Sequence, residues 1–383
     1  MDSPLRVGLN LTYLVEDSGG SGRYARQLIP ALIEAEHGIE LTVWVGSTAP
    51  DELMDEPWAG EVRWVKLPVP GVGTPWHLWY ELLAIGLAAR RQRLDVVHGL
   101  AYLGPLVHPQ VASVVTILDV IWLHHPEAAG KRFHAVMRTL TPLLGRSSDR
   151  IIAISEAARD DISNMLHLDP EKFDVTPLGI SSPAPATSSS DLDSDVIRER
   201  LDLGPEPLVL CVAAKRHHKN LHGLIRALAF LPHPRPQLVL PGSSNAYEQE
   251  LRALAGELGV EESVHFLGWI SEEDLEDLYR LAVCFVLPTF QEGFGLPVLE
   301  AMARGVPVAC SDIPTLREVV GDAAALFDPH DPHSIANAIT RVVGDRGLAD
   351  DLVCRGRERC RMFTWERTAE ATLESYARAL GRE

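Results

Sequence analysis

Two carboxylates, Glu292 and Glu300, have seven residues between them, beginning with the run Gly293-Phe294-Gly295-Leu296-Pro297. Pro297 sits where a helix would begin and Gly305 where it would end, the usual asymmetry of proline at the first helical positions and glycine just past the last. The two glycines let backbone approach a ligand closely. The amides of Phe294, Gly295 and Leu296 would point at whatever lies at the helix N-terminus, where anions, phosphate above all, are favoured. Neither glutamate suits a phosphate, because like charges repel. A carboxylate accepts hydrogen bonds, so its natural partners are hydroxyls. Phosphate on amides beside hydroxyls on glutamates describes a nucleoside-diphosphate sugar. On position alone, Glu300 also reads as an acid that complements the helix dipole.

Three cations lie in a second stretch, Lys215-Arg216-His217-His218-Lys219-Asn220, between the apolar run Leu208–Ala213 and a helical pattern over Leu221–Phe230. They suit a diphosphate, since each hydrogen bond to a charged group contributes about 1.5–3 kcal/mol. A merely solvated charged loop has the same composition. Near the N-terminus, Ser18-Gly19-Gly20-Ser21-Gly22-Arg23 reads as a glycine-rich turn between a strand and the helix Tyr24–Glu34, with Arg23 placed for phosphate; a tight turn alone is the simpler reading. His98 and Asp119 follow short apolar strands, and ligands of open α/β sheets sit at the carboxyl ends of strands. Trp269 can stack on a base or pack as an aromatic between domains. Asp191, Asp193 and Asp195 read as solvated charges in a flexible segment, so no metal site is expected.

The elements that must position these residues alternate. Strands are expected at Leu5–Leu11, Leu41–Val45, Val62–Leu67, Asp95–His98, Val111–Ile117, Arg150–Ile154 and Phe173–Pro177. After the Ser-, Pro- and Ala-rich stretch from Ser181 to about Asp195, further strands are expected at Leu208–Ala213, Gln237–Leu240, Val264–Phe266 and Val283–Leu287. Helical patterns intervene. Ser155 is placed to cap one helix, and Ser271-Glu272-Glu273-Asp274 reads as a capping box with Asp for the usual Glu. Alternation in both halves predicts an α/β protein of two doubly wound parallel sheets. A long helix opens at Trp76-His77-Leu78-Trp79-Tyr80-Glu81 and ends in Arg90-Arg91-Gln92-Arg93. That end suits a membrane surface, although arginines that offset the helix dipole over a sheet-packed apolar face are the more ordinary reading.

The run LPTFQEGFGLPVLEAMARGVPVACSDIPTLREVVG, Leu287 to Gly321, resembles the glutamate–seven residues–glutamate signature of the family-4 retaining glycosyltransferases, which have the GT-B fold. The match continues through Ala301-Met302-Ala303, Gly305-Val306-Pro307-Val308 and Glu318-Val319-Val320-Gly321. Leu178-Gly179-Ile180 resembles the family's exit from the first domain, and Gly268-Trp269-Ile270 its nucleobase edge, so the resemblance covers nearly the whole chain. It implies two Rossmann-like domains facing a cleft: an acceptor-side domain over residues 1–182, a linker over 183–206, a nucleotide-sugar domain over 207–364, and a final helix over 365–383 that returns to the first domain.

The resemblance also distributes roles. Glu300 would bind ribose hydroxyls, and Glu292 would orient the sugar. Arg216 and Lys219, with Lys215 as rival to Arg216, would stabilise the departing diphosphate together with the amides of Phe294, Gly295 and Leu296. Trp269 and Ile270 would meet the base. Gly20, Gly22 and Arg23 would approach donor and acceptor, and His98, Asp119 and His124 would lie on the acceptor side, with Asp119 among the catalytic groups. One position departs from the family pattern: Leu118 stands where the family carries a histidine near the transferred sugar. Either His98, His124 or His125 substitutes, or the donor needs no such contact. The implied function is retaining transfer of a sugar from a nucleoside-diphosphate sugar to a hydroxyl acceptor, without a metal or other cofactor. The alternatives are an inactive nucleotide-sugar-binding protein and another GT-B reaction, such as a phosphorylase or epimerase.

The totals bound the partners. A chain of 383 residues exceeds one ordinary core. A net charge of −18 argues against nucleic acid and anionic membranes as main partners. Five scattered cysteines read as reduced thiols of a cytosolic protein. No signal peptide is expected at the N-terminus, and no apolar run is long enough to span a bilayer as a helix.

Overall fold

The computed structural model describes residues 4–15, 19–35, 38–69, 74–126, 130–180 and 194–382. The chain forms two units. The first comprises residues 1–179 with 363–383, and the second residues 180–362. The Ser- and Pro-rich stretch, with Asp191 and Asp193, lies outside the described residues, whereas Asp195 lies in the helix Ser194–Arg200.

The first unit holds a seven-stranded sheet of β1 (Arg6–Leu11), β2 (Glu40–Val45), β3 (Arg63–Lys66), β4 (Val96–Gly99), β5 (Ala112–Thr116), β6 (Arg150–Ala153) and β7 (Phe173–Val175). All pairings are parallel, in the order β3-β2-β1-β4-β5-β6-β7. Pairs such as Val96-Val97 and Val114-Val115 are fully buried, the near-continuous apolar reading of strands covered on both faces. Trp44 lies wholly buried across β1, where only glycine leaves room: a Cβ on Gly8 would fall 2.2 Å from its ring. The last helix, Trp365–Ala379, belongs to this unit. Thr368 donates to the Pro177 carbonyl at 2.7 Å and Arg378 pairs with Asp174 at 2.5 Å. Asp174 is buried, which raises its pKa, but Arg150, Ser375 and Arg378 outweigh that and hold it below the usual carboxylate range.

The second unit holds a six-stranded parallel sheet of β8 (Leu208–Leu210), β9 (Gln237–Pro241), β10 (Val264–Gly268), β11 (Ala282–Leu287), β12 (Val308–Ser311) and β13 (Ala325–Phe327), in the order β10-β9-β8-β11-β12-β13. Strands β12 and β13 were not expected from sequence: they are only four and three residues long, under the length at which a pattern separates from noise. The core gathers Leu224, Ile225, Leu228, Leu238, Leu240, Val286 and Ile339 between sheet and helices. Both expected caps form. Ser155 accepts from the Ala158 amide at 3.0 Å, and Ser271 from the Asp274 amide at 3.0 Å. Each sheet reverses its winding once, between β1 and β4 in the first and between β8 and β11 in the second. Those switch points are where open α/β sheets leave a crevice at the carboxyl ends of the strands.

Candidate functional site

In the second unit, the charged residues singled out from sequence converge on the β8/β11 switch point. The loop after β8 carries Arg216 and a short turn, His217–Lys219. The loop after β11 carries Glu292. Lys219 Nζ meets Glu292 Oε1 at 2.5 Å, joining the two loops across the crevice. The loops are also stitched through backbone: Phe290 N donates to the His218 carbonyl at 2.8 Å, and Thr289 Oγ1 lies 3.0 Å from the same oxygen. Thr315 donates to the Glu292 carbonyl at 2.9 Å. Glu292 is therefore fixed by its backbone and by Lys219, and its second oxygen has no protein partner among the described residues. Arg216 is exposed and makes no ion pair among the described residues.

Asn220 organises these loops, a role the sequence reading did not give it. It adopts a left-handed conformation at φ 54° and caps the helix Leu221–Leu228 through the Gly223 amide at 3.2 Å. Its amide nitrogen donates to the carbonyls of Pro288 at 2.9 Å and Pro329 at 2.7 Å. One side chain thus ties the segments after β8, β11 and β13. An asparagine directly ahead of an apolar helical run was a visible capping signal; its two distant carbonyl partners had none.

Gly295 opens the helix Leu296–Ala303 at φ +100°, where a side chain is strained, and a Cβ there would fall 2.5 Å from Leu316. Pro297 is its second residue, and Gly305 follows at φ +73°. No side chain caps this helix. One turn in, Glu300 is buried, and its Oε2 lies 3.5 Å from the Tyr279 hydroxyl. Trp269 follows β10 with 82% of its surface exposed, and Ile270 beside it is half-buried.

Lys215 does not join this group. Its side chain is buried and turned into the unit, donating to the Gly242 carbonyl at 2.5 Å and lying 3.4 Å from Glu248. Burial lowers its pKa against the opposing pull of Glu248. Nothing in the sequence signalled that partner, because Lys215 lies in the loop after β8 and Glu248 in the distant helix Ala246–Glu257. The thiols are equally withdrawn. Burial pushes Cys211 and Cys284 up to about 12, and four of the five cysteines are buried.

In the first unit, the expected glycine-rich turn is instead the start of a helix, Gly19–Ala35. Gly20 is exposed, Gly22 buried and Arg23 exposed. Tyr13 reaches over this first turn and donates to the Ser21 carbonyl at 3.2 Å. His98, expected on the acceptor side, is a core residue. It is fully buried with Nδ1 2.8 Å from the Tyr376 hydroxyl and Nε2 2.8 Å from Thr116 Oγ1, and burial lowers its pKa to about 3. Its polarity is spent on fixing the last helix. Asp119 is half-buried, accepting from the Tyr102 hydroxyl at 2.9 Å and the Ile121 amide at 3.0 Å. His124 pairs with Asp161 at 2.9 Å while remaining partly exposed. Leu118 is buried. Of the three histidines that could replace the family's, His98 has both ring nitrogens committed and His124 one.

The parallel double-sheet architecture, with two cations and a fixed carboxylate on the loops at one switch point, defines a class of fold, the doubly wound α/β protein with two sheets. Comparison with known proteins makes the class specific. Residues 18–182 match the model described as Glycosyltransferase Family 4, and residues 193–359 that of Glycosyl transferases group 1. Among curated relatives, the O-antigen chain mannosyltransferase B of Escherichia coli is 31% identical over 283 residues, covering 72% of this chain and 73% of the relative. A solved sucrose-phosphate synthase from Thermosynechococcus elongatus superposes with a TM-score of 0.77 at 23% identity, covering 99% of this chain and all of the other. Anabaena Alr3699/HepE in complex with UDP-glucose superposes with a TM-score of 0.75 at 20% identity, covering 97% and 100%. The chain belongs to the family-4 glycosyltransferases and has the GT-B fold.

Proposed function

We propose that this protein is a retaining glycosyltransferase that moves a sugar from a nucleoside-diphosphate sugar to a hydroxyl acceptor without a metal ion. The observation that carries the reading is the pairing of Lys219 with Glu292 beside the unpaired guanidinium of Arg216 at the β8/β11 switch point. A departing diphosphate develops negative charge. Fixed cations and amides stabilise that charge without reorganising, and such preorganised electrostatics are usually the largest catalytic term. Arg216 and Lys219 supply the positive charge that a divalent cation would otherwise bring. Glu292, with one oxygen on Lys219, offers the other to a sugar hydroxyl. Glu300 takes the ribose hydroxyls, Trp269 offers an open ring for the base, and Asp119 stands on the acceptor side.

The E. coli relative is a mannosyltransferase, and HepE was solved with UDP-glucose. A mannose-bearing nucleoside diphosphate is therefore the first donor to test, and UDP-glucose the second. The acceptor is a glycan, a lipid-linked precursor or a secondary metabolite. The test is incubation of the purified chain with each donor and an acceptor panel, following release of nucleoside diphosphate and the anomeric configuration of the product by NMR. Release with retained configuration, undiminished by a chelator, is expected. An inverted product removes retention, and loss of rate with chelator removes metal independence. Donor binding with no release on any acceptor leaves a binding protein, the reading that the buried Leu118 favours.

A further inference from the structure

Lys219 is held in place by Glu292, whereas Arg216 is exposed and makes no ion pair among the described residues. Where the Arg216 guanidinium can reach therefore depends on its backbone, and that backbone is fixed on both sides. Ahead of it, Asn245 Nδ2 donates to the Lys215 carbonyl at 2.7 Å. This carbonyl shares a peptide plane with the Arg216 nitrogen, which donates to the Ala214 carbonyl at 2.8 Å. Behind it, the Arg216 carbonyl accepts from the Lys219 amide at 3.0 Å, and the His217 ring lies 4.1 Å from the Tyr247 ring, centroid to centroid. Tyr247 is buried, and its hydroxyl lies 2.9 Å from His222 Nδ1 in the first turn of the helix Leu221–Leu228. Asn245 caps the helix Ala246–Glu257 and Tyr247 is its second residue. One helix end thus grips residues 215 and 217 and leaves the side chain of 216 between them.

Capping alone does not account for Asn245. Its Oδ1 accepts from the Glu248 amide at 3.2 Å, and a serine or aspartate would do as much. An amide side chain offers a donor as well, and here that donor is spent on the loop after β8. Its two partners, an N–H and a carbonyl, differ in character, and this settles which end of the amide faces which. Lys215 contributes differently. Its side chain anchors the loop inward on Gly242 and Glu248, and replacing that side chain leaves the main-chain carbonyl for Asn245.

We propose, on the reading of Arg216 as a diphosphate-binding group, that Asn245 and Tyr247 are positioning residues for it. They hold the peptides on either side of Arg216, so that its guanidinium is aimed at the diphosphate before the nucleotide arrives. Groups fixed in advance meet charge without reorganising, and small misplacements are costly. The test is a double-mutant cycle read by calorimetric titration of the full chain with UDP and with GDP, beside melting curves. Arg216→Ala should weaken the tighter-bound nucleotide by roughly tenfold to a hundredfold. Asn245→Ser keeps the cap and loses the donor, so it should weaken binding roughly fivefold at an unchanged melting temperature. Tyr247→Leu, which removes the ring beside His217, should weaken binding roughly threefold. In the Arg216→Ala background both changes should alter affinity by less than about twofold, because the group they aim is gone. A merely structural loss would persist in that background. Either variant keeps the test alive should the other not fold. Wild-type affinity in Asn245→Ser and Tyr247→Leu, or an equal loss with and without Arg216, overturns the inference while leaving Arg216 on the diphosphate. Wild-type affinity in Arg216→Ala, or binding of neither nucleotide, removes the reading of Arg216 and the inference with it.

Discussion

The two sheets share one topology and use their switch points differently. At β8/β11, polar side chains stay accessible: Arg216 is exposed, and Lys219 meets a carboxylate that keeps one oxygen free of protein partners. At β1/β4, the polar side chains close on one another. Asn10 accepts from the Thr12 hydroxyl at 2.8 Å, Thr12 reaches Glu81 at 2.5 Å, and His98 spends both ring nitrogens on Thr116 and Tyr376. A charged or polar residue at a strand's carboxyl end thus stays accessible in one sheet and serves as a structural tie in the other. What separates the cases is whether a neighbouring element offers the side chain a partner.

The sharpest break of this comparison sets Arg216 against its sequence neighbour. Arg216→Ala is expected to lower turnover by roughly a hundredfold to a thousandfold, with little change in melting temperature. Lys215→Ala should do the reverse, destabilising the fold by about 3 kcal/mol because Glu248 loses a buried partner. Steady-state rates beside melting curves decide it, and the opposite ranking would return the diphosphate to Lys215. Glu300→Ala should weaken donor affinity by about tenfold to a hundredfold, with a smaller effect on the rate at saturation. Calorimetric titration with donor checks this, and wild-type affinity would remove the ribose assignment.

His98 probes the closed side. Its folded-state pKa of about 3 lies below the ordinary 6.5, so between those values the unfolded chain binds a proton that the folded chain does not. Stability must then rise with pH across that window and be lost on acidification, by up to about 1.4 kcal/mol per pH unit from this residue. Denaturation midpoints followed from pH 7 to pH 4 should fall less steeply in His98→Asn, and an unchanged slope would deny that the imidazole is held neutral. The smallest expected effect is Trp269→Ala, which should cost donor affinity roughly fivefold to tenfold by loss of stacking. An effect on melting but none on affinity would make Trp269 structural.

Much of the site was legible because its signals are local. Gly295 and Pro297 announced a helix start, Ser155 and Ser271 their caps, and the spacing of Glu292 and Glu300 set both beside that start. Three readings failed or fell short for one reason. Lys215 and Arg216 are adjacent in the chain and look alike. His98 ends a strand as a ligand-facing residue would. Asn220 reads only as the end of the charged stretch Lys215–Asn220. In each case the deciding partner, whether Glu248, Tyr376 or the Pro288 and Pro329 carbonyls, is remote in sequence. The turn expected over Ser18–Arg23 is helix from Gly19 onward, and Tyr13 holds the Ser21 carbonyl.

Sequence by itself determined the alternation of strands and helices, the two-sheet class and the family, because periodicity, capping residues and contiguous motifs are properties of neighbours along the chain. Tertiary structure alone decided which of two adjacent cations stays exposed, which histidine is core, and that Trp76 and Trp79 stand outward. Each of those depends on what packs against a side chain, and a linear pattern does not carry that information.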